Sequence, residues 1–371
     1  MKPFVKWAGG KERELKYFFQ YIPENIHNYI EPFVGGGAVY FALSNKHITG
    51  RRYINDFSSE LFNLYLYIRN RNDDFFSELD AIKGNIDLMN QYAMNNIQHF
   101  EDAYNNCLNE NSYDEQINLV LNNLFCGETR LLQHLDTYDQ QFEKEIIKCL
   151  KIKVKKACKL KKDGEEITYD NLLHFFETSL KMSLYSTIRY AYNHINNNSP
   201  YKIAYFLYLR EYCYSSMFRY NPDGEFNVPY GGMSYNTKNF NNVINYIKSD
   251  ELINYLERTI IRNFDFEEFL NRTPIRDDDF IFIDPPYDSE FSEYAQNEFN
   301  RDDQTRLADC LANTNAKIMV VIKNTNFIYR LYHERGFYIR RYDKKYSVNF
   351  QNRNNREVEH LIITNYELEN N

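Results

Sequence analysis

No apolar run of about eighteen residues occurs in this chain, so nothing in it reads as a membrane-spanning helix. Its start, Met1 to Trp7, passes directly into polar residues between Gly9 and Arg13 and lacks the apolar centre of a signal peptide. Cysteine is sparse: Cys107, Cys126, Cys149, Cys158, Cys213 and Cys310 show no CxxC or His-paired spacing. That excludes the usual zinc and disulfide scaffolds and leaves reduced thiols as the expectation. A cytoplasmic protein, of a bacterium or of a virus-infected host cell, is expected, with no membrane partner. Tryptophan occurs once, at Trp7. A basic excess is also missing. The net charge of −8 argues against nucleic acid as a partner, but only weakly, because binding depends on local patches. One such patch is present: Lys148 to Lys162 carries eight lysines and no acid, and its Lys/apolar alternation from Lys151 to Lys155 suits an exposed strand or a helix edge.

What remains is enough for a real core. The 371 residues are 43% apolar and fit one large or two modest domains. Three zones follow one another. Up to about residue 65, Gly-rich loops alternate with short apolar strands (Asn28-Tyr29-Ile30, Arg52-Tyr53-Ile54) and helical stretches. From about 66 to 250 glycine is scarce and the period is helical, as in Ile117, Val120, Leu121 and Leu124 and again from Leu172 to Tyr190. From about 251 onward the α/β pattern returns. Strands are expected at Phe280–Ile283 and Lys317–Ile322, a helix near Asp302–Ala312, and hairpin strands at Phe337–Arg341 and Val358–Thr364. One α/β fold interrupted by a mainly helical insertion accounts for the order.

Asp284-Pro285-Pro286-Tyr287 follows the apolar run that ends at Ile283. Proline cannot extend a central strand, so the chain leaves the sheet there. The prolines carry no N–H to compete for their carbonyls, Asp284 offers only acceptors, and Tyr287 offers a flat face. This is a pocket for a planar ring bearing an amino group, adenine or cytosine. The amino lone pair of such a base is delocalised into the ring. Accepting both N–H groups, at Asp284 and the Pro285 carbonyl, draws the nitrogen toward tetrahedral geometry and restores its nucleophilicity. Taken alone, the tetrapeptide also fits an ordinary Pro-Pro turn.

Glu31-Pro32-Phe33-Val34-Gly35-Gly36-Gly37 follows the first strand and opens a helix. Its glycines allow a tight turn and close approach of backbone to ligand. The spacing is not GxGxxG, and Glu31 would repel a phosphate but suit the ammonium of an amino acid. Asp56 ends the next strand, where an acidic residue takes ribose hydroxyls in nucleotide-binding sheets. A nucleoside joined to an amino acid satisfies both, which points to S-adenosyl-L-methionine. Trp7, between Lys6 and Lys11, is placed to wall off that cofactor, with Lys11 meeting its carboxylate.

In this order, Lys6–Lys11, Glu31–Phe41, Asn55-Asp56, Arg219-Tyr220-Asn221 with Gly224–Gly231, and Asp284–Tyr287 resemble the Dam-type, α-arranged adenine-specific DNA methyltransferases. The resemblance covers about the first 65 residues and those beyond about 205. It implies an S-adenosylmethionine-dependent methyltransferase (Rossmann-like) sheet formed by residues 1–65 and 251–371. An inserted, mainly helical DNA-recognition domain would occupy 66–250. Trp7, Lys11, Glu31, Phe33, Gly35, Gly37, Asp56, Asp265, Phe266 and Asp284 would frame the cofactor. Asp284, Pro285, Pro286 and Tyr287 would hold the target adenine, and the Phe291–Phe299 loop with Tyr294 would receive the flipped base. Arg219 would read a guanine, with Asn221 and Pro229 on the same DNA-facing module. Lys153, Lys155 and Lys156 are expected to add phosphate contacts.

The implied activity is methyl transfer to the 6-amino group of adenine within a GATC-like short site in double-stranded DNA. It would serve restriction–modification or DNA marking, by a monomer, without metal, and with a cognate restriction endonuclease as a candidate partner. Gly231-Gly232-Met233 stands where Dam enzymes often carry another basic residue, a departure from strict GATC specificity. Three other readings stay open: a methyltransferase acting on cytosine or RNA, a catalytically silent DNA-binding regulator, and, remotely, an NAD-type dehydrogenase.

Overall fold

The computed structural model describes residues 1–7, 9–110, 112–124, 132–287, 299–345 and 357–368. It divides into two compact units. One combines Met1–Asn70 with Ile247–Asn371, and the other is Arg71–Tyr246.

The first unit is built on a seven-stranded sheet: β1 Tyr29–Glu31, β2 Arg52–Asn55, β3 Thr259–Arg262, β4 Phe280–Ile283, β5 Lys317–Lys323, β6 Tyr338–Lys345 and β7 Glu357–Thr364. Their spatial order is β3-β2-β1-β4-β5-β7-β6. The pairs β1–β2, β2–β3, β1–β4 and β4–β5 are parallel, whereas β7 runs antiparallel to both β5 and β6. Parallel strands are covered on both faces, and these read accordingly: every residue of β1 and β4 is buried. The chain winds outward from β1 through β2 to β3, then returns to start β4 on the other side of β1. That reversal opens a crevice beyond the carboxyl ends of β1 and β4, the place where ligands bind in open α/β sheets. The core beneath it includes Ile30, Ile281, Ile283, Ile318, Val320 and Leu361.

The expected strands at 28–30, 52–54, 280–283 and 317–322 are all present within a residue or so at their ends. β3 was not expected. The hairpin strand expected at 337–341 runs on to Lys345.

The second unit is helical. Its longest helix, Asp73–Asn109, is capped by Asn72, whose side chain accepts from the Phe75 amide. It buries Phe75, Leu79, Ile82, Ile86, Met89, Ala93, Ile97 and Phe100, a stripe at steps of three and four. Ile117, Val120, Leu121 and Leu124 are the buried face of Tyr113–Leu124, as their spacing predicts. Tyr169–His194 begins with a capping box between Thr168 and Asn171. Among the described residues no helix is long and apolar enough to cross a membrane.

Candidate active site

Three carboxylates sit at the carboxyl ends of neighbouring strands: Glu31 ends β1, Asp56 follows β2 and Asp284 follows β4. The loop between β1 and the helix Ala38–Ala42 is tied down from several sides. Asp56 accepts from the Gly35 amide at 2.8 Å and, through its other oxygen, from the Ser58 amide at 2.9 Å. The Tyr65 hydroxyl donates to the Gly35 carbonyl at 3.1 Å. Asn55 knits three strand ends together. Its amide nitrogen donates to the carbonyls of Pro32 and Phe264, and its oxygen accepts from the Phe264 amide.

The glycines are required by close approach. A Cβ on Gly35 would lie 2.7 Å from the Trp7 ring, and one on Gly36 would lie 2.9 Å from the Val5 carbonyl, which is backbone and cannot swing away. Trp7 therefore packs on the Gly35–Gly36 backbone, and glycine is needed there to seat the indole.

Glu31 is buried and accepts from the Tyr29 hydroxyl at 2.8 Å. Burial raises its pKa well above the ordinary carboxylate range, and the charges of Asp284 and Asp56 push the same way. The hydrogen bonds from Tyr29 and from the Tyr40 amide oppose this without cancelling it. Burial also raises Asp56 to about 6 against the two amides that favour its charge. Asp279 makes a useful contrast. It is fully buried at the opposite edge of the sheet, but it accepts from the Asn28 amide, the Asn28 side chain and the Arg276 amide. Its three donors make it a structural clamp between β1 and β4.

Lys11 is nearly fully buried, and its ammonium contacts Asp284 Oδ1 at 2.5 Å, the Tyr287 hydroxyl at 3.1 Å and Glu14 at 4.0 Å. The sequence expected Lys11 to meet a cofactor carboxylate; in the structure the carboxylate it meets is that of Asp284. The Tyr287 hydroxyl also lies 3.4 Å from His360 Nε2 on β7, and the Glu14 carboxylate accepts from the Tyr342 hydroxyl of β6 at 2.7 Å. Gln304 donates to the Pro286 carbonyl at 2.8 Å and so fixes the Pro-Pro turn. Glu14, Gln304, Tyr342 and His360 carried no signal in the sequence, since each is defined only by a partner distant along the chain.

Phe33 and Phe266 pack together, ring centroids 5.7 Å apart. Phe299 packs on both at 5.6 Å, so it belongs to this cluster rather than to a loop that closes over a base. Phe291 and Tyr294 lie outside the described residues. Asp265 caps the helix Phe266–Arg272 and pairs with Arg306 at 3.0 Å, which commits it to that helix and that arginine.

In the second unit, Arg219 to Tyr230 forms a small hairpin. Tyr220 bridges Phe226, and the Asn227 amide donates to the Arg219 carbonyl. Asn221 closes the turn, accepting from the Glu225 amide at 2.8 Å, so its side chain is a turn former. From Glu225 to Tyr230 exposure alternates: Glu225, Asn227 and Pro229 face out, Phe226, Val228 and Tyr230 are buried, and Arg219 is exposed.

The lysine run is helical throughout, within Asp139–Lys162. Its Lys/apolar alternation is a coincidence of short range. Buried Cys149, Leu150, Lys153, Val154, Ala157 and Cys158 follow helical spacing. Lys153 is thus on the inner face, with its pKa lowered by burial and then by Lys156, and it is removed from the phosphate-facing set. Lys155 and Lys156 stay exposed, over the rings of Tyr113 and Phe175 respectively.

The comparisons with known proteins agree on one family. The model of the D12 class N6 adenine-specific DNA methyltransferases matches residues 7–126 and 119–348. A type II methyltransferase, M.CviBI, of Paramecium bursaria Chlorella virus NC1A is 29% identical over 369 residues, covering 99% of this chain and 100% of the relative. M.MjaIII of Methanocaldococcus jannaschii, also named a type II methyltransferase, is 26% identical over 386 residues, 99% of each chain. A DNA adenine methylase of Vibrio cholerae is 30% identical over 186 residues, 47% of this chain and 62% of its own. The chain belongs to the D12 class N6 adenine-specific DNA methyltransferases, enzymes that depend on S-adenosylmethionine and act on DNA.

Proposed function

We propose that the chain methylates the 6-amino group of an adenine flipped out of duplex DNA, within a short GATC-like site. The observation that carries this is the pairing of Asp284 with Lys11 beside Tyr287 at the end of β4. A carboxylate has about four lone-pair sites, so the lysine orients Asp284 without exhausting it as an acceptor. Asp284 and the Pro285 carbonyl take the two amino protons of the base, and Tyr287, with its hydroxyl anchored, offers its ring as a platform. Gln304 holds the turn that carries all four residues.

The residues at the β1 and β2 ends suit the cofactor. Glu31 is a buried carboxylate at the start of the Gly loop, its pKa raised by burial so that a nearby cation would favour its charge, and Trp7 packs on that loop. When bound, S-adenosylmethionine supplies a methyl group on a sulfonium. Glu31 would take its ammonium, Asp56 its ribose hydroxyls, and Phe33 with Phe266 the apolar side of its adenine. The protein's task is then positioning and charge stabilisation, because the amine loses its proton readily once it has become cationic.

Arg219 reads a guanine, and Pro229 borders the same edge. The exposed alternation of Glu225, Asn227 and Pro229 supports a strand that presents side chains to a groove. Gly231-Gly232-Met233 marks a departure from strict GATC. The relatives named type II methyltransferases support a restriction–modification role, with a cognate endonuclease acting on the same site and the methylase working as a monomer.

The test is transfer of labelled methyl from S-adenosylmethionine to unmethylated duplex DNA, followed by base-resolution sequencing. The expected product is N6-methyladenine in one short motif. Arg219→Ala should relax that motif at one position by about 10- to 100-fold. Methyl on cytosine, or transfer to RNA alone, overturns the reading. A second expectation concerns Lys155 and Lys156. Their double replacement by Gln should weaken DNA binding evenly across sequences and flatten its dependence on salt by up to about two counterions. An unchanged slope assigns both lysines to a solvated face.

A further inference from the structure

The hairpin of the second unit is held in an unusual way. One stripe of the helix Tyr169–His194, at Tyr185, Arg189 and Asn193, grips it by main-chain atoms. Asn193 makes a matched pair of bonds to Phe226: its amide nitrogen donates to the Phe226 carbonyl at 3.1 Å, and its oxygen accepts from the Phe226 amide at 2.9 Å. The side-chain amide thus stands in for a neighbouring strand. Arg189 donates to the Val228 carbonyl at 3.2 Å, and the Tyr185 hydroxyl donates to the same carbonyl at 2.9 Å. Further along, Lys181 donates to the Asn236 carbonyl at 2.8 Å, and Asn236 in turn donates to Thr178 at 2.9 Å and accepts from the Tyr230 hydroxyl at 3.0 Å.

The two periods match. Four residues of helix advance about 6 Å, and two residues of strand advance about 6.5 Å. Stepping down the helix from Asn193 to Arg189 therefore keeps pace with stepping up the strand from Phe226 to Val228, and Tyr185, one turn further along the helix, shares the Val228 carbonyl with Arg189. The strand's pleat decides the rest. Gripping at Phe226 and Val228 turns Glu225, Asn227 and Pro229 outward, and a slip of one residue would reverse every side chain.

We propose that this helix is the register rail of the base-reading strand, with Tyr185, Arg189 and Asn193 as positioning residues for sequence specificity. None of them needs to touch a base. Each fixes the backbone from which Asn227 and Pro229 project, and the Asn227 amide in turn donates to the carbonyl of Arg219 on the facing strand. Because the grip uses main-chain atoms, the outward side chains can be exchanged without disturbing it, so site preference can change while the module's fold stays the same. The proposal rests on the reading that the Arg219–Tyr230 module reads DNA.

The experiment measures kcat/KM of the full-length protein on duplexes carrying the preferred site and each single-base change of it. Arg219→Ala, Asn193→Ala and Tyr185→Phe are compared with the unaltered chain, and far-UV circular dichroism with thermal unfolding reports that each is folded. Asn193→Ala should lose about tenfold or more of the discrimination between right and wrong sites, with the loss in KM for the right site and in the ratio rather than in kcat. Tyr185→Phe, which keeps the ring and loses one bond, should show the same shift more mildly, and it carries the test if Asn193→Ala fails to fold. If Arg219→Ala relaxes specificity and both helix variants keep theirs within about twofold, the rail is overturned and the reading of the module stands. If Arg219→Ala leaves specificity intact, the reading of the module fails and the rail fails with it.

Discussion

Asp284→Ala should lower methyl transfer by more than about a thousandfold, the scale expected when a group that orients the nucleophile and receives its developing charge is removed. The structure adds a second consequence. Lys11 is only 2% exposed and has Asp284 as its nearest carboxylate, with Glu14 at 4.0 Å as the next. Alanine therefore strands a buried ammonium. Breaking a fully buried pair costs about 3–5 kcal/mol; Asp284 is 19% exposed and Glu14 stands nearby, so the loss should fall below that range. Asp284→Asn separates the two effects. Its amide oxygen can still accept from Lys11, so stability should return nearly to that of the unaltered chain. The base, however, meets one acceptor fewer and no charge, so activity should stay depressed by about a hundredfold. Thermal unfolding and single-turnover methylation, measured on both variants, check this. Equal stability of the two variants would remove the structural role assigned to the Lys11–Asp284 pair, and substantial activity in alanine would remove Asp284 from the chemistry.

That coupling could not be read along the chain, because Lys11 and Asp284 are 273 residues apart. The same holds for Glu14 with Tyr342, 328 residues apart, and for Tyr287 with His360, 73 apart. Local pattern served well where burial is complete on both faces: Phe280–Ile283 is apolar throughout and bounded by Asp279 and by Asp284-Pro285, so β4 reads directly. It served badly where strands are short or polar. Thr259–Arg262 has two aliphatic residues and follows the helix Asp250–Glu257 with no glycine or proline between them. β6 is an edge strand with Arg340, Arg341 and Asp343, the kind of charged edge that resists further pairing and hides its alternation. Lys151 to Lys155 left a strand and a helix edge both open, and the structure makes it a helix. Five residues can mimic a strand by chance, and only the wider window from Phe142 to Cys158 exposes the helical period that buries Lys153. That Glu31, Asp56 and Asp284 stand at strand ends and that the glycines make a turn after β1 was legible, because each directly follows or ends a short apolar run. The second layer behind them, Asn55, Tyr65 and Tyr29, was not, since hydrogen bonds to a loop's backbone leave no sequence period.

Binding of S-adenosylmethionine should release protons and strengthen steeply between pH 5 and pH 7. Asp56 titrates near 6 in the folded protein and Glu31 is raised well above the usual range, both mainly by burial. For a carboxyl raised in this way the folded chain holds a proton that the unfolded chain has lost. Its contribution to stability is therefore present below the unfolded pKa of about 4 and fades as pH rises through the folded value, near 6 for Asp56. In the proposed site, a sulfonium and an ammonium near Glu31, with ribose hydroxyls on Asp56, would favour the charged carboxylates and expel those protons. Affinity should climb by up to about tenfold per pH unit for each proton released, below about pH 7 where the cofactor's own amino group stays protonated. Calorimetric titrations in two buffers of different ionisation enthalpy measure the released protons directly. Glu31→Gln should make the pH slope shallower, weaken cofactor binding by about tenfold or more, and make the cofactor-free protein more stable once pH passes the raised pKa of Glu31, because a buried charge has then been replaced by a neutral group that can still accept from Tyr29. A flat affinity with no buffer dependence would mean that Glu31 and Asp56 face something other than the cofactor's charges. Loss of stability in Glu31→Gln would mean that the Tyr29 and Tyr40 bonds outweigh burial, and that Glu31 is a structural cap rather than the cation's seat.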